Sequence, residues 1–330
     1  INQQLSTINY QQTTNNVIAF FKLIRIQNLL IIAYTQYMVR FCLIEPLLKL
    51  KSTYYTLQLS EIQFFLLVLS TVMIAAAGYI INDYFDVKID KVNKPERLVI
   101  DKGIKRRVAI GAHTVINILA IAIAMYVSYS IGFWKLALIH FICTAGLWFY
   151  STTFKRQFLI GNIVIALFTA LVPLIVGVYE LFVCYKSYLP LDEQLSFKLI
   201  WYWILAISFF AFITTLLREI IKDIEDYEGD KEYGCYTMPI AIGINTSKWI
   251  IVGLSLATMS CIAMLQIQQW YGNDSFSFYY FLIAIQLPFF FLIFKTVSAK
   301  DKKDYRLAGN TAKFIMFMGV NFLWIVRFLL

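Results

Sequence analysis

The chain has 330 residues, of which 60% are hydrophobic, 17% aromatic and only 15% charged, with a formal net charge of +9. A soluble domain is closer to ~45–50% apolar and ~25% charged, so this composition argues against a soluble globular fold. Nucleic-acid binding is not needed to explain the positive charge, because basic loops facing an anionic leaflet account for it.

The first sixteen residues are polar and rich in Gln, Asn and Thr. They lack the basic start and small-residue cleavage site of a signal peptide, and 1–16 is read as a disordered tail. Beyond it, about nine apolar runs of bilayer-spanning length follow, roughly at 17–43, 62–81, 107–130, 133–150, 158–179, 199–221, 247–269, 276–296 and 310–330. These runs have the length of helices, and in lipid a segment must satisfy its own backbone groups. The expected fold is therefore all-α, an integral membrane bundle of about nine transmembrane helices forming a single domain over 17–330.

Pro173 and Pro288 fall inside runs and could kink them. The five cysteines form no CxxC pair and read as small buried hydrophobes. His113 and His140 join no ligand pattern.

Basic residues set the orientation. Lys88, Lys91, Lys94, Arg97, Lys102, Lys105, Arg106 and Arg107 follow the second run; Lys155 and Arg156 follow the fourth; Lys222 and Lys231 follow the sixth; Lys300, Lys302, Lys303 and Arg306 follow the eighth. The opposite loops are poorer, so the even-numbered connections are expected in the cytoplasm.

Two of these connections begin with acidic runs of one spacing. Asp83, Asp86 and Asp90 recur at i, i+3 and i+7, and so do Asp223, Asp226 and Asp230. On a helix such positions share a face, where like charges repel unless a cation sits among them. Hard divalent cations such as Mg²⁺ take oxygen ligands of this kind and share them with substrate phosphates. Both runs follow even-numbered spans, so they are expected on one side of the membrane.

A prenyl diphosphate suits such a place: its apolar tail fits a groove between helices and its anionic head fits metal held by Asp83, Asp86, Asp90, Asp223, Asp226 and Asp230. Neutralised diphosphate is a better leaving group, and aromatic faces can shield the allylic cation left behind. Tyr79, Tyr84 and Phe85 stand beside the first acidic run. Arg25 with Asn28, Lys155 with Arg156, and Arg218 with Lys222 are the candidate cationic and polar groups for the diphosphate. Arg218, Lys222 and Asp226 lie at i, i+4 and i+8 and could instead form a plain salt-bridge ladder. An EF-hand is excluded, since neither run has the loop-closing Glu at its twelfth place. A cation-coupled transporter is the rival from another class, but transporters place key charges near the bilayer midplane and show repeated halves.

Asn82 through Asp90 reads NDxxDxxxD, and Asn93-Lys94-Pro95-Glu96-Arg97 continues it. Arg25-Ile26-Gln27-Asn28, the stretch Tyr150 to Lys155-Arg156 with Gly161-Asn162, and the run from Leu217 to Asp230 followed by Thr237-Met238-Pro239 complete a pattern that resembles the UbiA superfamily of intramembrane prenyltransferases. The resemblance covers most of the chain. It implies a nine-helix fold and Mg²⁺-dependent prenyl transfer. It also implies catalytic roles for Asp83, Asp86, Asp223, Asp226, Lys155 and Arg218, and diphosphate and substrate binding by Arg25, Asn28, Asn82, Arg97 and Lys222.

The run Arg218-Glu219-Ile220-Ile221-Lys222-Asp223-Ile224-Glu225-Asp226 is most similar to the branch that alkylates a glycerol phosphate lipid. That branch implies geranylgeranyl diphosphate as donor and geranylgeranylglyceryl phosphate as acceptor. Quinone-pathway branches use 4-hydroxybenzoate or dihydroxynaphthoate instead. The interval from Tyr150 to Lys155 is longer than the family's YxxxK.

Overall fold

A computed structural model of the chain describes residues 17–192 and 195–330, without the side chain of Arg97. The expected tail at 1–16 lies outside the described residues. The described residues form helices joined by short connections, with no strand among them.

A helical turn at 17–23 leads into α1 (Ile26–Met38), a π-helical turn (Val39–Ile44) and α2 (Glu45–Lys51). Then come α3 (Glu61–Asn93), α4 (Arg106–Ser130), α5 (Ala137–Thr152), α6 (Ile160–Tyr188) and α7 (Lys198–Glu225). The short α8 (Tyr227–Glu232) and α9 (Met238–Ile242) precede α10 (Ile244–Tyr271). The chain closes with α11 (Ser275–Tyr280), a second π turn (Phe281–Gln286), α12 (Leu287–Ser298) and α13 (Lys302–Leu329).

Both π turns have a local cause. Pro46 and Pro288 each follow one by two residues. Proline lacks an N–H and its ring clashes with the carbonyl four residues back. Those carbonyls, of Cys42 and Ala284, lie inside the π turns, where wider hydrogen-bond spacing accommodates them.

Among the described residues, eight helices are long and apolar enough to cross a bilayer. The fourth expected span, 133–150, is realised as α5, only 16 residues long. The turn at Gly132 (φ +83°) and the 3₁₀ turn Trp134–Leu136 take up its start. At ~1.5 Å per residue α5 reaches about 24 Å, short of the ~30 Å hydrocarbon core. By contrast α3 runs 33 residues without a break, so the first acidic run continues its apolar helix beyond hydrocarbon depth. The protein is a multi-pass integral membrane protein.

The chain divides into two compact units. Among the described residues, the first holds 17–33 and Glu61–Thr153. Its core packs Leu23, Ile24 and Leu29 with Ala76, Ile80 and Val87 of α3 and Ala109 of α4. The second holds Tyr34–Ser60 and Phe154–Leu330. Its core joins Leu217, Ile220, Ile221 and Ile224 of α7 with Ile251, Phe289 and Leu292, and with Ala308, Ala312 and Ile315 of α13. Small residues let its helices close: a Cβ at Gly177 would meet Ile204 at 2.5 Å, and one at Gly319 would meet the Phe210 ring.

Within the second unit, Arg40 and Glu180 form an ion pair (3.1 Å) with both side chains 0% exposed. Arg40 also donates to the Leu59 carbonyl, and Glu180 accepts from the backbone N–H groups of Gln58 (2.5 Å) and Leu59 (3.0 Å). An unpaired charge is costly in such surroundings, and this pair ties the first π turn, α6 and the 58–59 backbone together.

Candidate active site

The two acidic runs belong to different units, and each has its own support. In the first unit, Asp83 lies on α3 and accepts from Arg25 Nη2 at 2.7 Å. The Arg25 guanidinium also sits 4.8 Å from the centroid of the Tyr79 ring, one helical turn before Asp83. Asn28 Nδ2 donates to the Tyr79 hydroxyl at 3.2 Å. Arg25 occupies the break between residues 17–23 and α1, with φ +53°. A non-glycine residue rarely adopts this left-handed conformation, which sets the guanidinium across to α3. Asn82, Asp83, Asp86 and Asp90 are all half-buried. Phe85 meets Trp148 edge-on at 5.8 Å, so an aromatic wall stands beside the first acidic run. Arg97 lies in the 3₁₀ turn Pro95–Arg97, but its side chain is outside the described part.

In the second unit, Asp223 is in the last turn of α7 and accepts from Asn162 Nδ2 at 2.8 Å. Asn162 is buried in the first turn of α6. Its neighbour Gly161 permits a close crossing, because a Cβ there would stand 2.6 Å from the Cα of Lys155. The 3₁₀ turn Phe154–Arg156 can therefore lie against the start of α6 with Lys155 half-buried. The Tyr236 N–H donates to the Arg156 carbonyl (2.8 Å) and the Cys235 N–H to the Asp230 carbonyl (2.9 Å). These bonds tie the Lys155 turn to the end of the second acidic run. Tyr150, by contrast, belongs to the first unit and Lys155 to the second.

The second run departs from a continuous helix. α7 ends at Glu225, Asp226 takes φ −95° and ψ 6°, and α8 begins at Tyr227. Asp223, Glu225, Asp226 and Glu228 crowd the negative end of the α7 dipole, which favours termination there. The backbone still hydrogen-bonds from Asp226 N–H to Lys222 and from Asp230 N–H to Asp226. Arg218 and Lys222 both pair with Glu219, the latter at 3.7 Å. Glu219 is buried and holds both cations on one stretch of α7. Glu225, also buried, pairs with Arg306 of α13 at 3.1 Å.

Sequence reasoning missed Glu219 and Glu225 as organisers and gave Asn162 no role in the site. Buried charge at a helix end was the available signal for the two glutamates. The Asn162–Asp223 contact spans 61 residues and had no local signature.

Among the described residues no three His, Cys, Asp or Glu side chains converge as a metal cage. Six aspartates nevertheless supply hard oxygen donors of the kind Mg²⁺ takes. Mg²⁺ is ordinarily bound by one or two carboxylates with water and substrate phosphates completing its sphere, so the donor set fits that ion.

A polytopic helical bundle with acids and cations gathered at helix ends defines a class of intramembrane enzyme that handles a charged headgroup on an apolar chain. The sequence profile of the UbiA prenyltransferase family matches residues 54–321, and the chain belongs to that family. It is a prenyltransferase. Family membership sets aside the transporter alternative.

Among curated relatives, the digeranylgeranylglyceryl phosphate synthase of Methanosphaera stadtmanae is 28% identical over 247 residues, covering 73% of this chain and 81% of the relative. The synthase of the same name from Methanothermobacter thermautotrophicus is 32% identical over 224 residues, covering 67% and 70%. Of solved structures, one from a study of digeranylgeranylglyceryl phosphate synthase in membranes aligns with TM-score 0.59 at 22% identity, over 96% of this chain and 99% of the other. A UbiA homologue from Archaeoglobus fulgidus bound to DMAPP and Mg²⁺ aligns with TM-score 0.55 at 16% identity, over 94% and 99%. These structures share the fold.

Proposed function

We propose that the protein transfers a prenyl group, best matched by geranylgeranyl from its diphosphate, to geranylgeranylglyceryl phosphate, and releases diphosphate. The observation that carries this reading is the pair of supported acidic runs, each with cations held close by: Arg25 at Asp83, and Arg218 with Lys222 in the two turns before Asp223. The acceptor is favoured by the curated relatives, which carry the name digeranylgeranylglyceryl phosphate synthase. The Archaeoglobus homologue bound to DMAPP and Mg²⁺ supports a prenyl diphosphate donor and this metal.

Asp83, Asp86, Asp90, Asp223, Asp226 and Asp230 are the residues assigned to hold Mg²⁺. When bound, Mg²⁺ neutralises the diphosphate and improves it as a leaving group. Arg25, Lys155, Arg218 and Lys222 add positive charge for the phosphate oxygens, while Asn28, Asn82 and Arg97 complete the substrate-binding set. Asn162 orients Asp223, Tyr79 orients Arg25, and Glu219 keeps Arg218 and Lys222 in place. Tyr79, Phe85 and Trp148 offer ring faces to positive charge developing on the allylic carbon. The acceptor hydroxyl oxygen then bonds to that carbon as the C–O bond to diphosphate breaks, its O–H bond giving up the proton to the departing diphosphate, and no protein nucleophile is required.

Residues 17–330 work as one catalytic domain in this reading. The active site faces the cytoplasm, as the basic connections suggest.

Product mass spectrometry tests the assignment. Purified protein with Mg²⁺ is given geranylgeranyl, geranyl or dimethylallyl diphosphate with either geranylgeranylglyceryl phosphate or 4-hydroxybenzoate. The expected product is the doubly geranylgeranylated glycerol phosphate. Prenylated hydroxybenzoate with no ether lipid would overturn the acceptor, and no prenylated product from any pair would overturn the whole reading.

A further inference from the structure

α12 and α13 border an apolar groove of about 480 Å³, lined by none of the acidic-run residues. Leu287 and Phe291 form one wall; Leu307, Asn310, Thr311 and Phe314 form the other. Leu287, Phe291, Leu307 and Phe314 are all exposed, as befits side chains facing lipid. The Leu307, Asn310, Thr311 and Phe314 positions follow the i, i+3, i+4, i+7 stripe of a single helix face.

Each stripe ends in a lysine at the same end of the pair. Lys295 stands one turn after Phe291 on α12, and Lys303 stands one turn before Leu307 on α13. Lys295 Nζ reaches Asp304 Oδ1 at 3.7 Å, so the two rims meet there. Around this mouth Lys295, Lys300, Lys302 and Lys303 outnumber Asp301 and Asp304. The mouth also lies at the end of the second unit where Arg306 of α13 pairs with Glu225 of α7. Lysines at such a depth carry their charge to the headgroup layer while their stems cover apolar surface.

An apolar trough open to the bilayer and crowned by a net positive rim is complementary to a lipid with an anionic head. We infer that this groove is a site for one anionic glycerophospholipid of the surrounding leaflet, with its phosphate between Lys295 and Lys303 and one chain along Leu287, Phe291, Leu307 and Phe314. The site is separate from the prenyl-transfer residues and does not depend on which acceptor they use.

Native mass spectrometry of detergent-purified protein tests this with phosphatidylglycerol and phosphatidylcholine at matched chain length. The wild type is expected to retain one phosphatidylglycerol in preference to phosphatidylcholine. The double variant K295Q/K303Q is expected to bind phosphatidylglycerol about thirty-fold more weakly, at roughly fivefold per lysine near a charged surface. Its phosphatidylcholine binding and its prenyl transfer in neutral detergent should be unchanged. Equal retention of both lipids by the wild type, or an undiminished phosphatidylglycerol preference in the variant, would overturn the inference. So would a dimeric wild type that becomes monomeric on Phe291→Ala, because the groove would then be covered by a second copy.

Discussion

Asn162 shows how much one amide can decide. It is buried, and its Nδ2 donates to Asp223 at 2.8 Å, fixing one carboxylate oxygen and leaving the other for a different partner. Replacing it with Leu removes the donor but keeps the branched shape of the side chain. The expected result for Asn162→Leu is a fall of about tenfold or more in kcat/KM, as for loss of a hydrogen bond to a charged group, with little change in melting temperature. Steady-state kinetics beside a thermal melt checks both halves. Residues like this were poorly legible in the sequence. The spacing of Asp83, Asp86 and Asp90 is visible because a helix repeats locally. The pairing of Asn162 with Asp223 is set by how two helices cross, and so is the seating of Arg25 between Asp83 and Tyr79. Arg25 also adopts a left-handed backbone conformation that no glycine or asparagine announces.

At the scale of elements, the start of α6 depends on Gly161. A methyl group there would lie 2.6 Å from the Lys155 Cα, and backbone cannot yield as a side-chain tip can. Gly161→Ala is therefore expected to lower stability by about 1–3 kcal/mol and to cut turnover through displacement of Lys155. Chemical or thermal unfolding paired with the prenyl-transfer assay checks it; wild-type values in both would remove the crossing from the argument.

The buried Arg40–Glu180 pair is a second joint. Arg40→Met leaves Glu180 uncompensated and is expected to cost about 3–5 kcal/mol. Arg40→Met/Glu180→Leu should recover part of that loss, though not all, because Glu180 also accepts from the Gln58 and Leu59 backbone. A melting series in one detergent measures the difference. The positions of the long helices were legible, because hydrophobic runs report length directly. The shortness of α5 was not, since the turn at Gly132 divides an apolar stretch that hydropathy reads as continuous. The break at Asp226 was hidden for a related reason: the acidic spacing suits a helix, while the charge at its end opposes one.

At the scale of the whole molecule, the sequence carried the fold class and the family, because membrane composition and two matched acidic runs are global signals. It could not supply the partners of each charge. The acids reside in two compact units, one grouping Asp83, Asp86 and Asp90 and the other Asp223, Asp226 and Asp230. The central claim is that both groups serve a single diphosphate. Isosteric neutralisation tests this most directly, using Asp83→Asn, Asp223→Asn and the double variant in a Mg²⁺ titration of diphosphate release. Each single change is expected to abolish most turnover, by a factor of about 10³ or more, and the double variant should be no worse than the poorer single one, as for groups that act as a unit. Wild-type turnover in either single variant, or losses that simply multiply in the double, would contradict a shared site.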